Sequence, residues 1–532
     1  MSDSAYNEML RGVQPIGLSG RVSGAGGLVV TVSDFPVPVG AGCRILRGGV
    51  VGAAGVVGVE SADSAAGPGA TAQPGIAARV IGFAEDQTLV MPLGPLAGIC
   101  RGDRVLCVST EQVLPVGTAM LGRVLNGLGE PMDGRGPLAA ETRMPLWPGA
   151  VSPLSRGRID QPLATGVRAI DGLLTVGRGQ RMGIFSGSGV GKSVLLGMIA
   201  RYAASDVNVI ALVGERGREV REFLEKDLGP EGLARSVVIV STSDEPPLVR
   251  VQAAALACAA AEFFRDRGKH VLLLMDSLTR LAMAQRQIGL VAGEPPAGKG
   301  YTPSVFNLLP ELLERCGPAA DGSITGFYTV LAESDDLNDP ISDAVRSVTD
   351  GHIALSRELA NRGQYPAIDA LESVSRVMLD VTSGVHQSSA RQVRRALALY
   401  AEIDELIRIG AYQSGASAEH DAAVAAMPRI RAFLSQSMNE HWPLERTEAA
   451  LGELASLCRP RRSRGAGAAR STGVSPVSRM GVSPMQTLSE DQTFTSRTNA
   501  NETATPYVGH GRDAHATHGR DARATATSRR EP

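Results

Sequence analysis

Eight residues, Ser186-Gly187-Ser188-Gly189-Val190-Gly191-Lys192-Ser193, stand between two apolar runs. Met182-Gly183-Ile184-Phe185 before them predicts a buried strand. Val194-Leu195-Leu196-Gly197-Met198-Ile199 after them predicts the first turns of a helix. A strand that passes through a glycine turn straight into a helix gathers several backbone N–H groups and a positive helix end around one anion. The backbone from Gly187 through Ser188, Gly189, Val190 and Gly191 to Val194 would wrap the phosphates of a nucleotide. Lys192 would reach the outer phosphates and the Ser193 hydroxyl would ligate Mg²⁺. Composition sharpens this reading. Of 53 Lys plus Arg only four are lysine, Lys192, Lys226, Lys269 and Lys299. A lysine in this loop, where arginine is the default cation, marks a site that needs a compact ammonium and not a planar fork. Ser186 departs from the glycine usual at the loop's first position, which is tolerable for a residue that only closes the strand.

The 532 residues suffice for two to four domains. Six cysteines are scattered without a C-x-x-C spacing, so they read as reduced thiols and not as disulfides or zinc ligands. Residues 1–15 lack the pattern of a signal peptide, and no run approaches about 18 consecutive apolar residues. A soluble, cytoplasmic protein is expected. A net charge of −2 and 4% aromatics disfavour a dedicated nucleic-acid binder, which needs a basic face and stacking rings.

Along the chain the character changes four times. Residues 1–19 form a short segment for binding a partner, with Tyr6, Met9, Leu10 and Val13 on one helical face. Residues 20–112 hold short alternating runs with glycine turns, which predicts a small β-barrel; Gly52 to Pro74, rich in Ala, Gly, Ser and Val, reads as a long loop within it. Residues 113–382 alternate apolar strands (Met182–Ser186, Val207–Glu215, Ser236–Ser241, His270–Asp276, Ser323–Glu333, His352–Ser356) with helices such as Pro247–Arg267. This predicts a parallel α/β core of the P-loop, RecA-like kind, with ligands at the carboxyl ends of its strands. Residues 383–457 read as a helical domain. From 458 onward, twelve arginines face six acidic residues among Ser, Thr, Ala and Gly, with imperfect repeats such as Gly511-Arg512-Asp513-Ala514 and Gly519-Arg520-Asp521-Ala522. That composition cannot offset its chain entropy, so a disordered tail is expected.

Two strand ends carry chemistry. Val271-Leu272-Leu273-Leu274-Met275-Asp276 is an apolar strand ending in a carboxylate, a costly placement unless it faces a cleft. Asp276 would hold Mg²⁺ through water or together with Ser193, though a helix-capping role is the plainer alternative. Val209-Ile210-Ala211-Leu212-Val213 runs into Gly214-Glu215-Arg216, and Glu215 is placed to orient and deprotonate an attacking water. Arg216 is grouped with Lys192 and Glu215 as catalytic. Either Arg216 or Arg280 is expected to pair with Glu215 or Glu219.

These segments, together with Leu274-Met275-Asp276-Ser277-Leu278-Thr279-Arg280 and Gln364-Tyr365-Pro366-Ala367-Ile368-Asp369, resemble the catalytic subunits of rotary ATP synthases. The likeness is closer to the branch that drives flagellar and type III protein export. It runs through Gly293-Glu294-Pro295-Pro296-Ala297-Gly298-Lys299-Gly300-Tyr301, Asp350-Gly351-His352-Ile353-Ala354-Leu355-Ser356-Arg357 and Leu406-Ile407-Arg408-Ile409-Gly410-Ala411-Tyr412, in unbroken order over roughly 17–455. The resemblance implies Mg²⁺-dependent ATP hydrolysis by a homo-oligomeric, hexameric ring. It implies that Tyr365 packs on adenine and that Arg376 reaches the neighbouring subunit's nucleotide as a fourth catalytic residue. It places the Gly293–Pro303 loop at the ring axis. The implied partners are a stator or regulator, a stalk protein and chaperone–substrate complexes, with no nucleic acid, and a peripheral place at the inner membrane face through the export gate. A flagellar cargo is preferred over an injection apparatus. A proton-coupled synthase subunit would need an acidic stalk-contacting stretch, where only Glu402, Asp404 and Glu405 cluster. An RNA-translocating hexamer would need exposed rings in the barrel, which holds only Phe35 and Phe83.

Overall fold

A computed structural model describes residues 17–47, 75–149, 152, 154, 156–332 and 339–460. Most of the expected partner-binding segment, the barrel loop from Gly52 to Pro74, the last residue of the expected strand Ser323–Glu333 and nearly all of the expected tail lie outside these residues.

Six short strands close a barrel: β1 (Ser19–Gly26), β2 (Val29–Ser33), β3 (Gly42–Leu46), β4 (Gly75–Ala84), β5 (Gln87–Pro92) and β6 (Arg104–Ser109), in the order β1-β2-β5-β4-β3-β6. All its pairings are antiparallel. Val30, Val32, Ile45, Val80, Val90 and Val105 alternate inward to fill it, as a small barrel requires. Phe35 is buried and Phe83 is 54% exposed.

Next in the chain, β7 (Val113–Val116) pairs with β9 (Thr142–Pro145) around the core strand β8 (Val124–Asn126). A second two-stranded ribbon joins β10 (Pro162–Leu163) to β11 (Val176–Gly177). The remaining strands are β12 (Arg181–Ser186), β13 (Val207–Glu215), β14 (Ser236–Thr242), β15 (His270–Asp276), β16 (Gly317–Pro318), β17 (Ser323–Leu331), β18 (Gly351–Leu355) and β19 (Ile368–Ser375). Among the described residues they build a nine-stranded sheet in the order β19-β18-β12-β17-β15-β13-β14-β8, with β16 on the side of β17. Pairing is parallel from β18 to β8 and antiparallel where β19 and β16 attach. The expected parallel sheet therefore carries an antiparallel edge at β19, which returns the chain from the strand ends that bear the phosphate loop to the opposite end.

Both faces of this sheet are covered, which is why β13 and β15 are apolar along nearly their whole length. Helix Pro247–Arg265 packs on one face with Leu256, Ala260 and Phe263 buried. It is long and apolar enough to cross a membrane by length and composition alone, but 94% of its most apolar window is buried in the core. The other face is covered by helix Lys192–Tyr202 and by three C-terminal helices, Gly384–Arg408, Ala418–Leu434 and Leu444–Leu457.

One buried ion pair pins the first face. Arg315 donates from Nε and Nη2 to Glu262 at 2.8 and 2.6 Å and from Nη1 to the carbonyl of Leu146 at 2.8 Å. Both side chains are almost fully buried. Removing one partner strands a charge in low dielectric. We expect Glu262→Ala to lower the unfolding free energy by about 3–5 kcal/mol in urea denaturation, with Glu262→Met/Arg315→Met recovering much of that loss.

Candidate active site

The phosphate loop follows β12 and opens helix Lys192–Tyr202, whose N-terminus has Gly191 at the cap and no side-chain cap. The first-turn N–H groups are thus left for an anion. Gly191 has φ +93°, and a Cβ there would lie 3.5 Å from the Tyr365 ring. Glycine therefore supplies the left-handed turn, while a Cβ would meet the ring only at ordinary van der Waals distance. Tyr365 is 48% exposed, and its carbonyl accepts from the N–H of Gln436, which follows the second C-terminal helix. The Tyr365–Pro366 and Asp276–Ser277 peptide bonds are cis. Ser186 is buried and closes the strand by pairing with Leu331 and Leu355.

Three strand ends converge on this loop. β17 stands between β12 and β15, and β13 lies beyond β15. The Lys192 ammonium lies 2.5 Å from Asp276 Oδ1 and 3.6 Å from Glu215 Oε1. All three side chains are largely buried. A register shift between Val213 and Glu215 marks a bulge at Gly214, which re-aims Glu215 at the end of its strand. Gly214 has φ +75°, and a Cβ on it would meet the Arg280 stem at 2.8 Å.

Burial alone would lower the Lys192 ammonium, but Asp276 and Glu215 outweigh it and hold the group charged. Glu215 moves the other way. Burial and the neighbouring Asp276 carboxylate, opposed by Lys192, push its carboxyl up to about 7. Its Oε1 is buried and accepts no hydrogen bond.

The remaining predicted residues are distributed as follows. Ser193 is exposed on the first helical turn. Arg216 does not pair with Glu215: its guanidinium is mostly exposed and lies 3.5 Å from Glu219. Neither expected arginine partner is found on Glu215, whose ionic neighbour is Lys192, because the bulge turns the side chain inward. Ser277 does cap the helix Leu278–Val291, with its side chain accepting from Arg280 N. Asp276 itself faces the site. Arg376 is exposed at the other end of the sheet, its N–H bonded to the Asp350 carbonyl.

Sequence reasoning missed Thr329, whose hydroxyl donates to Asp276 Oδ1 at 2.7 Å from the strand between them. A hydroxyl within the apolar run Ser323–Leu331 was the available signal.

Two carboxylates facing one ammonium leave an excess of negative charge. Because the Glu215 carboxyl is higher in the fold than when unfolded, its stabilising contribution is complete below about 4.5 and is lost as pH rises through about 7. Glu215→Gln should stabilise the nucleotide-free protein more at pH 8 than at pH 5.5, by about 1–3 kcal/mol, in paired urea titrations.

The nucleotide-binding domain of the ATP synthase alpha/beta family matches residues 166–375, and the T3SS EscN ATPase C-terminal domain matches residues 382–453. The flagellum-specific ATP synthase of Bacillus subtilis is 51% identical over 385 residues, covering 71% of this chain and 86% of that protein. The type 3 secretion system ATPase of Xanthomonas euvesicatoria is 53% identical over 370 residues, covering 70% and 84%. Among solved structures, the assembled ATPase EscN of enteropathogenic E. coli superposes with a TM-score of 0.74 at 42% identity, covering 82% of this chain and 100% of that one. EscN in complex with its central stalk EscO gives 0.72 at 41% identity, covering 82% and 100%. With a phosphate loop, two acidic strand ends and these relatives along most of its length, the chain belongs to the flagellar and type III secretion ATPases of the ATP synthase alpha/beta family.

Proposed function

We propose that this chain hydrolyses Mg²⁺-ATP at the phosphate loop, that it works as a hexameric ring of identical subunits, and that turnover drives protein export through a flagellar type III apparatus. The observation that carries the reading is the Lys192 ammonium held between Glu215 and Asp276 beside an uncapped helix start. Backbone N–H groups from Gly187 to Val194 and the Lys192 ammonium take the phosphates, and Tyr365 packs on the base. Glu215 orients the attacking water. A carboxyl pushed up to about 7 accepts a proton well at neutral pH. Arg216, exposed beside Glu219, is free to swing toward the phosphates.

Oxygen donors suit Mg²⁺, which prefers one or two carboxylates plus phosphate oxygens to a complete protein cage. The Ser193 hydroxyl and Asp276 fit that pattern, and no cluster of three metal-ligating side chains exists among the described residues. When bound, Mg²⁺ would neutralise charge on the outer phosphates.

Arg376 serves the next subunit's site. β18 and β19 pair Leu355 with Ile368 near the phosphate loop but Gly351 with Ser375 at the far end. Four residues of strand place Arg376 about 13 Å away, beyond the reach of its own side chain. Its guanidinium has no ion-pair partner among the described residues, as suits a group that meets a neighbour's phosphate. The implied contacts are a stalk protein at the axial Gly293–Pro303 loop, a stator or regulator, and chaperone–substrate complexes, with the ring in the cytoplasm against the inner membrane face. The near-equal likeness to a type 3 secretion system ATPase supports an injection apparatus as a second reading. Identification of co-purifying rod and filament subunits, or of secreted effectors, separates the two.

Lys192→Ala should abolish nucleotide-dependent phosphate release, and near-normal release would refute the assigned cradle. Arg376→Ala should cost about 10³-fold in turnover. Mixing it with Lys192→Ala protein should restore part of the activity at interfaces that pair intact halves; rings that never regain activity would remove the case for action in trans.

A further inference from the structure

The junction between the nucleotide core and the C-terminal helices holds a buried histidine in an unusual hydrogen-bond setting. His386 lies in the first turn of helix Gly384–Arg408, with its side chain 1% exposed. Its Nε2 lies 2.9 Å from the Gly172 carbonyl, in the short helix Arg168–Leu173 ahead of the phosphate-loop strand. Its Nδ1 lies 3.1 Å from Glu448 Oε1, on helix Leu444–Leu457. Thr175 Oγ1 is 3.4 Å from Nε2, but its proton is committed to the Asp171 carbonyl at 2.7 Å.

A carbonyl oxygen only accepts, so the short contact to Gly172 fixes a proton on Nε2. A neutral imidazole then has a bare lone pair at Nδ1, aimed at a carboxylate that also only accepts when ionised. That arrangement is repulsive. It becomes a hydrogen bond only when one further proton sits on the Nδ1–Oε1 line.

We propose that His386 and Glu448 retain this proton as an imidazolium–carboxylate pair, and that it latches the last C-terminal helix to the segment leading into the phosphate loop.

The charged groups packed around the ring come from three helices. From helix Arg168–Leu173 the facing acid is Asp171, fully buried, which accepts from Thr165 N, Thr165 Oγ1 and Gly166 N at 2.7–2.9 Å. Burial raises its carboxyl, while the nearby His386 charge draws it down. From helix Leu444–Leu457 the facing acid is Glu448; Arg446 on the same helix turns instead to Trp442, with Arg168 over the same ring. Helix Ala418–Leu434 contributes Phe433 against Gly172. On its own helix the nearest cation, Arg391, donates to the Gln387 carbonyl. Glu448, on the neighbouring helix, is the side chain that meets Nδ1. Loss of the proton leaves the Nδ1 lone pair against the Glu448 carboxylate, so the helix separates from the core more readily.

The test uses the full chain. In ¹⁵N-histidine spectra, with His386 assigned from His386→Gln protein, both ring nitrogens should carry protons at pH 7.5. A neutral ring bearing hydrogen at Nε2 alone would overturn the latch. Amide exchange across 444–457 should rise about tenfold per pH unit beyond the intrinsic base-catalysed rise once the proton leaves, as one-proton linkage requires. In Glu448→Gln protein that excess should vanish, since an amide can donate to a neutral Nδ1. Equal pH dependence in the two proteins would refute the proposal, whether or not the nucleotide site is assigned correctly.

Discussion

One ammonium between two carboxylates organises this molecule. Lys192 comes from a loop, Asp276 and Glu215 from separate strands, and each charge would be expensive to bury by itself. Their proximity requires β12, β17, β15 and β13 to run in the same direction and stop at the same level. The crossover helices that make such a sheet possible also bury both its faces, so the charges meet water only at the strand ends. The site is a consequence of parallel pairing, and Thr329 shows how closely the two are joined. It is a core strand residue that also donates to Asp276.

The same sheet separates the two halves of the chemistry. The phosphate loop leaves β12 at one end, and the antiparallel β19 carries Arg376 back to the other. A subunit of this shape presents a cradle and a guanidinium that do not face each other. In the ring proposed above, each cradle would meet a neighbour's arginine, which would make assembly a condition for turnover and not only a means of packing. The C-terminal helices sit against the face that bears helix Lys192–Tyr202. Tyr365, His386 and Gln436 fasten them to the core near the phosphate loop and near the segment that leads to its strand.

Local pattern made much of this legible. The strand–glycine–helix run, the carboxylates that end apolar strands and the short alternating strands of the barrel each follow from neighbours in sequence, because periodicity and turn chemistry are local properties. Which of the two acids Arg216 would meet was open for the opposite reason, and it is Glu219. Arg216 is adjacent in sequence, yet the bulge at Gly214 turns Glu215 inward and leaves Arg216 facing solvent. Thr329 escaped notice because its partner Asp276 lies 53 residues away on another strand, and the hydroxyl in its own apolar run does not say which charge it meets.

From residue order alone came the phosphate loop, the acidic strand ends, the three structural regions and the membership of a family, since all are written in contiguous stretches. Strand order, the antiparallel return of β19, the convergence of three charges and the acceptor pair around His386 came only with the fold. These depend on which distant segments share a boundary, and burial energies that act between elements, not along them, settle that choice.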